Sequence, residues 1–210
     1  MNNITSLYGI ILSAGPGSRL KGAVKALLKT GGKTFIEKII SAMRKCGVGN
    51  IIVVLGYKAG TVTRYLKRNK SSRGVRVLIN KNYSAQQAAT GSQQIDSLRI
   101  AVRTLPAECS GIIFTPVDHP LTKLSTYKKL INGWLKDKEK ICVPSWNYRK
   151  GHPTIFPRKI FEMLLRKNVR GGARYFIKKY GKEVNFIRVN DKNIVVDFDG
   201  PEDLPRRFTR

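Results

Sequence analysis

The stretch YGIILSAGPGSRLKGAVK, residues 8–25, decides how the rest of the chain is read. It begins with the apolar run Ile10, Ile11 and Leu12, then breaks into a turn of small residues that carries Arg19, Lys21 and Lys25. A strand apolar at consecutive positions has both of its faces covered, as in a parallel sheet flanked by helices. Further short β-branched runs lie at 50–56, 75–80, 111–117, 141–144, 153–156, 184–189 and 194–198. Between the early ones the apolar spacing becomes helical. TFIEKIISAMRKCG, residues 34–47, places Phe35, Ile36, Ile39, Ile40 and Met43 on one stripe behind Thr34, a good N-cap residue. Helices are also predicted near 60–67, 93–105, 123–136, 158–166 and 172–180. Strand–helix alternation over the first 120 residues predicts a Rossmann-like three-layer αβα sandwich. The sheet should be mostly parallel, and partly mixed where the later strands crowd together. No linker or repeat divides the chain, so residues 1–210 read as a single domain.

Composition narrows the function classes. Of the 210 residues, 41% are hydrophobic, enough to build a core. No apolar run approaches the roughly 20 residues of a membrane helix. The opening MNNITSLYGIILSAG carries no basic leader, and the three cysteines, Cys46, Cys109 and Cys142, are scattered. A cytoplasmic protein with reduced thiols is the expectation, with no membrane partner. The net charge of +27 raises the question of nucleic acid. The lysines are spread singly or in pairs, with no basic tail and no interleaved aromatics. That distribution argues against a nucleic-acid partner and for codon bias, or for a field that draws in anionic substrates.

In an open α/β sheet, ligands sit beyond the carboxyl ends of strands, and the turn at 13–25 occupies such a place. Two phosphate-binding patterns fail there. G-x-G-x-x-G requires glycine where Leu20 stands, and the P-loop ending GGKT at 31–34 requires glycine where Leu27 stands. Gly31-Gly32 instead reads as a hairpin-like turn before the helix capped by Thr34. What remains still suits a polyphosphate. Small residues let backbone amides approach phosphate oxygens, Arg19 offers a bidentate grip, and Lys25 adds a point charge. The stretch resembles the L-x-[AG]-G-x-x-x-R-[ML]-x-x-x-x-K signature of nucleotidylyltransferases of the molybdopterin guanylyltransferase and molybdenum-cofactor cytidylyltransferase type. Lys21 departs from that pattern, where glycine is usual, and Ser13 is a milder departure.

The chain has only 13 acidic residues, so a carboxylate at a strand end is informative. GIIFTPVDHPLT, residues 111–122, puts Asp118 directly after a strand. Its two readings are a ligand for Mg2+ and an N-cap for the helix near 123. The stretch resembles the family's D-x-P metal site in its V-D-H-P-L form. VVDFDGPEDL, residues 195–204, resembles the closing D-I-D-T-P-E-D-L element, with Gly200 in place of threonine. This implies Asp197 as second metal ligand and Asp199 as runner-up on the same strand face, while Glu202 and Asp203 suit the first turn of a final helix.

RKGHPTIF at 149–156 resembles an acceptor-side loop of the cytidylyltransferases, which implies that Gly151, His152 and Pro153 shape the acceptor pocket. With an ordinary pKa, His152 would titrate near neutrality. RGGARYFI at 170–177 and NKNYS…SLRIAV resemble two further elements of that branch. AQQAATGSQQID at 85–96 departs toward the E-Q-x-x-T-G base-binding loop of sugar-phosphate uridylyltransferases, which would place Gln87, Thr90 and Gly91 at the nucleobase.

The resemblance implies a Mg2+-dependent transfer of a nucleoside monophosphate from an NTP, with CTP favoured, to a phosphorylated small-molecule acceptor, with release of pyrophosphate. Ser13, Ala14, Gly15, Gly17, Ser18, Arg19 and Lys25 would bind the nucleotide. Arg19, Lys25 and Asp118 would be catalytic, and Asp118 and Asp197 would hold the metal. The acceptor implied is the molybdenum cofactor, and sugar 1-phosphates or other phosphorylated alcohols are the alternative. Two readings of other classes stay open: a basic nucleotide- or nucleic-acid-binding protein without catalysis, and a nicotinamide dehydrogenase, weakened by the failed dinucleotide fingerprint.

Overall fold

The computed structural model describes residues 4–15, 23–83, 92–166 and 172–198. Among these, the strands are β1 (Leu7–Ser13), β2 (Lys29–Thr30), β3 (Lys33–Thr34), β4 (Ile51–Leu55), β5 (Arg76–Ile79), β6 (Gly111–Pro116), β7 (Ile141–Trp146), β8 (Arg149–Lys150), β9 (Thr154–Pro157) and β10 (Val184–Arg188). The helices are α1 (Phe35–Lys45), α2 (Ala59–Arg68), α3 (Ser92–Val102), α4 (Leu124–Lys136), α5 (Phe161–Leu165) and α6 (Gly172–Lys179). The main sheet runs β10-β7-β9-β6-β1-β4-β5, with β8 added beside β7. β1 pairs in parallel with β4 and β6, and β4 with β5. β9 runs antiparallel to both β6 and β7, so the sheet is mostly parallel and locally mixed, as the crowding of late strands implies. No described helix is long and apolar enough to cross a membrane.

Strand alternation divides the apolar residues between two cores. Leu7, Ile11, Val53, Leu55 and Ile113 point to one face, where Phe35, Ile36, Ile39, Ile40 and Met43 of α1 meet Leu130 and Trp134 of α4. Ile10, Leu12, Ile52, Val54, Ile112 and Phe114 point to the other, packed on Ile95 and Leu98 of α3 and on Phe161 and Phe176. The predicted stripe of α1 is thus its buried face.

Strand order reverses around β1. The chain moves to one side through β4 and β5, then returns to the other side at β6. The crevice that favours ligands therefore opens beyond Ser13 and Pro116, at the ends of β1 and β6.

The approach to α1 follows local chemistry. Gly31 and Gly32 both have positive φ, 56° and 76°, as a tight hairpin turn between β2 and β3 requires. Thr34 caps α1, and Glu37 closes a capping box by accepting the Thr34 N–H at 2.7 Å. Asn69 also donates to the Glu37 carboxylate, at 2.6 Å. Burial raises the pKa of Glu37, but the bonds from Thr34, Asn69 and Tyr65 outweigh it and hold the carboxyl down at about 2. A carboxyl depressed from 4.5 to about 2 stabilises the fold above the unfolded value and loses that contribution as pH falls through the folded one. Urea midpoints of the wild type should therefore drop between about pH 4.5 and pH 2, and the Glu37→Gln variant should lose less over that window; equal losses would refute the role of the capping box.

Two predicted elements differ. Residues 194–198 do not form a strand. Asp191 accepts the Asn193 N–H at 3.2 Å and starts a 3-10 turn over Lys192–Val195, whose Ile194 carbonyl is taken by the 149–156 loop instead of a neighbouring strand. The helix predicted at 158–166 is a 3-10 turn, Arg158–Ile160, followed by the single short α5.

Candidate active site

β6 is buried along its whole length, and the Val117 N–H continues the pairing by donating to the Leu12 carbonyl at 2.9 Å. This delivers Asp118 to the end of β1. Lys25 arrives from the other side. It opens a 3-10 turn, Lys25–Leu27, that is anchored by Ala26, fully buried in the first core. The ammonium of Lys25 stands 3.3 Å from Oδ2 of Asp118, and both side chains are largely buried. Oδ1 of Asp118 is sealed from solvent and takes no hydrogen bond from a described residue. A buried anionic oxygen without a donor is costly unless a cation serves it.

The capping alternative for Asp118 fails. α4 begins at Leu124 with Lys123 in the cap position, and no Lys123 side-chain bond caps it. The carboxylate that accepts the Lys123 N–H, at 2.7 Å, is Asp191, which also accepts the Thr126 hydroxyl at 2.7 Å. Sequence reasoning did not single out Asp191, whose cap contact spans 68 residues. Asp118 is left for other work.

Asp197 lies on the segment that returns to Asp118. The Phe198 N–H donates to the Asp118 carbonyl at 3.0 Å, and the Phe198 ring packs edge-on against Phe35 with centroids 5.8 Å apart. The two aspartates are thus neighbours through the backbone, and the side chain of Asp197 is exposed. Among the described residues no group of three His, Cys, Asp or Glu side chains could hold a metal. A pair of carboxylates still suits Mg2+, which commonly takes one or two and completes its shell with phosphate oxygens and water. The orphaned Oδ1 of Asp118 fits that role.

The acceptor-side loop joins the same cluster. The His152 N–H donates to the Ile194 carbonyl at 2.9 Å, and the Gly151 N–H to the Pro144 carbonyl at 3.2 Å. A Cβ on Gly151 would lie 2.0 Å from the Ile194 oxygen, so only glycine allows this approach. The His152–Pro153 peptide bond is cis. The His152 ring lies 4.9 Å from the His119 ring and 6.3 Å from that of Phe114. His119 is buried, with Nε2 3.7 Å from Oδ1 of Asp118. The sequence leaves open whether His152 has the ordinary pKa that would let it titrate near neutrality, and the fold decides that it does not. Burial, then the nearby His119 and Arg174 charges, push its pKa down to about 3, and it is neutral at pH 7. His119 was not among the expected site residues, although it adjoins Asp118 in the V-D-H-P stretch.

At the first turn, Ser13 ends β1 in register with Leu55, Ala14 is buried, and Gly15 is exposed. The Ala14 carbonyl accepts the Tyr57 N–H at 3.0 Å, and a Cβ on Gly56 would lie 2.5 Å from that carbonyl oxygen. Before the predicted base-binding loop, the buried Asn80 donates to the Ser97 hydroxyl at 3.0 Å and accepts the Asn82 N–H at 3.0 Å. Gly17, Ser18, Arg19, Lys21, Gln87, Thr90, Gly91, Asp199, Glu202 and Asp203 lie outside the described residues.

Known proteins resemble this chain in sequence and in fold. Residues 9–184 match the model of the MobA-like NTP transferase domain. The bifunctional protein GlmU of Thermoanaerobacter pseudethanolicus is 32% identical over 140 residues, which cover 66% of this chain and 28% of GlmU. This chain therefore spans little more than a quarter of that relative. Nicotine blue oxidoreductase of Paenarthrobacter nicotinovorans is 24% identical over 97% of both chains. The crystal structure of Rv0371c from Mycobacterium tuberculosis superposes with a TM-score of 0.74 at 25% identity over 95% of both chains. A manganese complex of Rv0371c superposes at 0.70 with 24% identity, over 95% of this chain and 96% of that one.

Proposed function

This chain belongs to the MobA-like NTP transferase domain family, and from that premise we propose that it is a divalent-metal-dependent nucleotidylyltransferase organised around Asp118 and Lys25. A phosphate oxygen of the acceptor attacks the α-phosphorus of the NTP, the bond to the bridging oxygen breaks, and pyrophosphate leaves. The nucleophile is already anionic, so catalysis is mainly alignment and charge neutralisation. Mg2+ is the metal of this reading, held by Asp118 and Asp197, where it would neutralise phosphate charge. The manganese complex of Rv0371c supports a divalent ion in this fold.

Lys25 would steady charge at the α-phosphate, and in doing so would release Oδ2 of Asp118. Ser13, Ala14, Gly15, Gly17, Ser18 and Arg19 would cradle the triphosphate, and Gln87, Thr90 and Gly91 would meet the base. Gly151, His152 and Pro153 would shape the acceptor pocket, with His152 as a neutral wall. CTP is the favoured donor, and the acceptor is a phosphorylated small molecule of the molybdenum-cofactor type or a sugar 1-phosphate. The observation that carries the reading is the buried Oδ1 of Asp118 beside Lys25, which receives no hydrogen bond from any described residue.

The test is thermal unfolding with Mg2+ and each of CTP, UTP, GTP and ATP. A ligand at 100 times its Kd that binds only the folded state adds about 2.7 kcal/mol. Stabilisation by CTP with Mg2+ is expected, a UTP preference would move the acceptor toward sugar phosphates, and no response to any NTP would refute the proposal. A second reading rests on the oxidoreductase that matches along nearly the whole chain. It requires stabilisation by a nicotinamide dinucleotide in place of NTP, which the same assay reads directly.

A further inference from the structure

A pocket of about 290 Å³, whose described lining includes neither Lys25 nor Asp118, lies between the flank of α1 and the start of α4. Lys38, Ser41, Ala42 and Lys45 follow the i, i+3, i+4, i+7 spacing of one helical stripe, beside the buried stripe of α1. Lys33 of β3 and Pro120 to Thr122 also line the pocket. The small side chains of Ser41 and Ala42 leave the cavity open, and Leu121 and Leu124 line it with apolar surface. Its described lining contains three lysines and no carboxylate. The nearest acid in sequence, Glu37, is turned to Thr34 and Asn69. Burial, and then the charge of Lys33, lower the pKa of Lys38, so Lys38 carries its charge there at a cost. Like charges gathered in one cavity without a counter-charge are relieved by a multiply charged anion.

We infer that this pocket is a second anion site, distinct from the proposed nucleotide site, and that it takes a chain of phosphates. Free polyphosphate and the phosphate tail of a further nucleotide share that chemistry. Lysines serve such a ligand as movable point charges, which suits a chain better than a single planar carboxylate.

The inference stands apart from the proposed reaction, and one titration separates the two. Inorganic tripolyphosphate is titrated calorimetrically into the full chain with Mg2+ present at 150 mM salt. The wild type should take two equivalents, and the Lys33→Ala/Lys38→Ala/Lys45→Ala and Lys25→Ala variants one each. Neutralising Lys67, Lys178 and Lys179 instead should leave the stoichiometry at two. Lys38→Gln alone, checked for fold by circular dichroism, should weaken the pocket equivalent at least tenfold. A single equivalent that vanishes in Lys25→Ala and persists in the triple variant would overturn the inference and leave the nucleotide site standing. A single equivalent with the opposite response would support the pocket and count against the nucleotide site. In the Lys25→Ala background, CTP or ATP binding as tightly as tripolyphosphate shows that phosphates alone are read, and tighter binding of one nucleotide assigns the pocket to its tail.

Discussion

Asp118→Asn is expected to lower metal-dependent pyrophosphate release by about 10²–10³-fold, the usual loss when one electrostatic contact to a transferring phosphate is removed. The substitution keeps the shape of the side chain and removes its charge. It ends the 3.3 Å pair with Lys25 and places an amide where the buried Oδ1 has no donor among the described residues. The fold should survive. β6 is held by its own pairings, and the Asp118 carbonyl, which receives the Phe198 N–H, is untouched. Thermal midpoints without ligand should therefore move little, while the stabilisation by NTP with Mg2+ should disappear. Turnover equal to wild type in a folded Asp118→Asn protein would sink the metal assignment and the role of Lys25 with it.

Asp191→Ala should be the most damaging polar substitution for stability, at about 2–3 kcal/mol, because it removes a helix cap and strands the buried donors that the carboxylate serves. Asp191 is 1% exposed and accepts from the Lys123 N–H, the Thr126 hydroxyl and the Asn193 N–H. One carboxylate thus starts both α4 and the 3-10 turn that leads to Asp197. Loss of the turn should also loosen the Ile194 carbonyl that holds His152, so weaker metal binding should accompany the lower stability. Asp191→Asn, which keeps an acceptor oxygen, should recover part of both. A variant with unchanged urea midpoint would show that water replaces the cap at no cost.

The two aspartates show how differently a sequence exposes its parts. Asp118 was legible because a buried strand is followed by a carboxylate two residues before a proline, a pattern contained in a dozen consecutive residues. Asp191 was not, because nothing in its own neighbourhood says that its partners are Lys123 and Thr126. His119 sat in plain view beside Asp118, and its contact with His152 appears only when β6 and β9 pair. The strand predicted at 194–198 failed for a related reason. β-branched residues favour extended backbone, yet the segment's polar groups go to the 149–156 loop and to Asp118 in place of a strand ladder.

Local chemistry in the chain alone was sufficient for the alternating strands and helices, the capped start of α1 and the mostly parallel sheet. These depend on periodicity and on neighbours a few residues away, which a linear reading contains. The pairing of Lys25 with Asp118, the return of Phe198 to the Asp118 carbonyl, the neutral state of His152 and the lysine-lined pocket beside α1 emerged only on folding. Each depends on burial and on partners far apart in sequence, and the electrostatic environment that gives these groups their chemistry does not exist until the two cores close around the sheet.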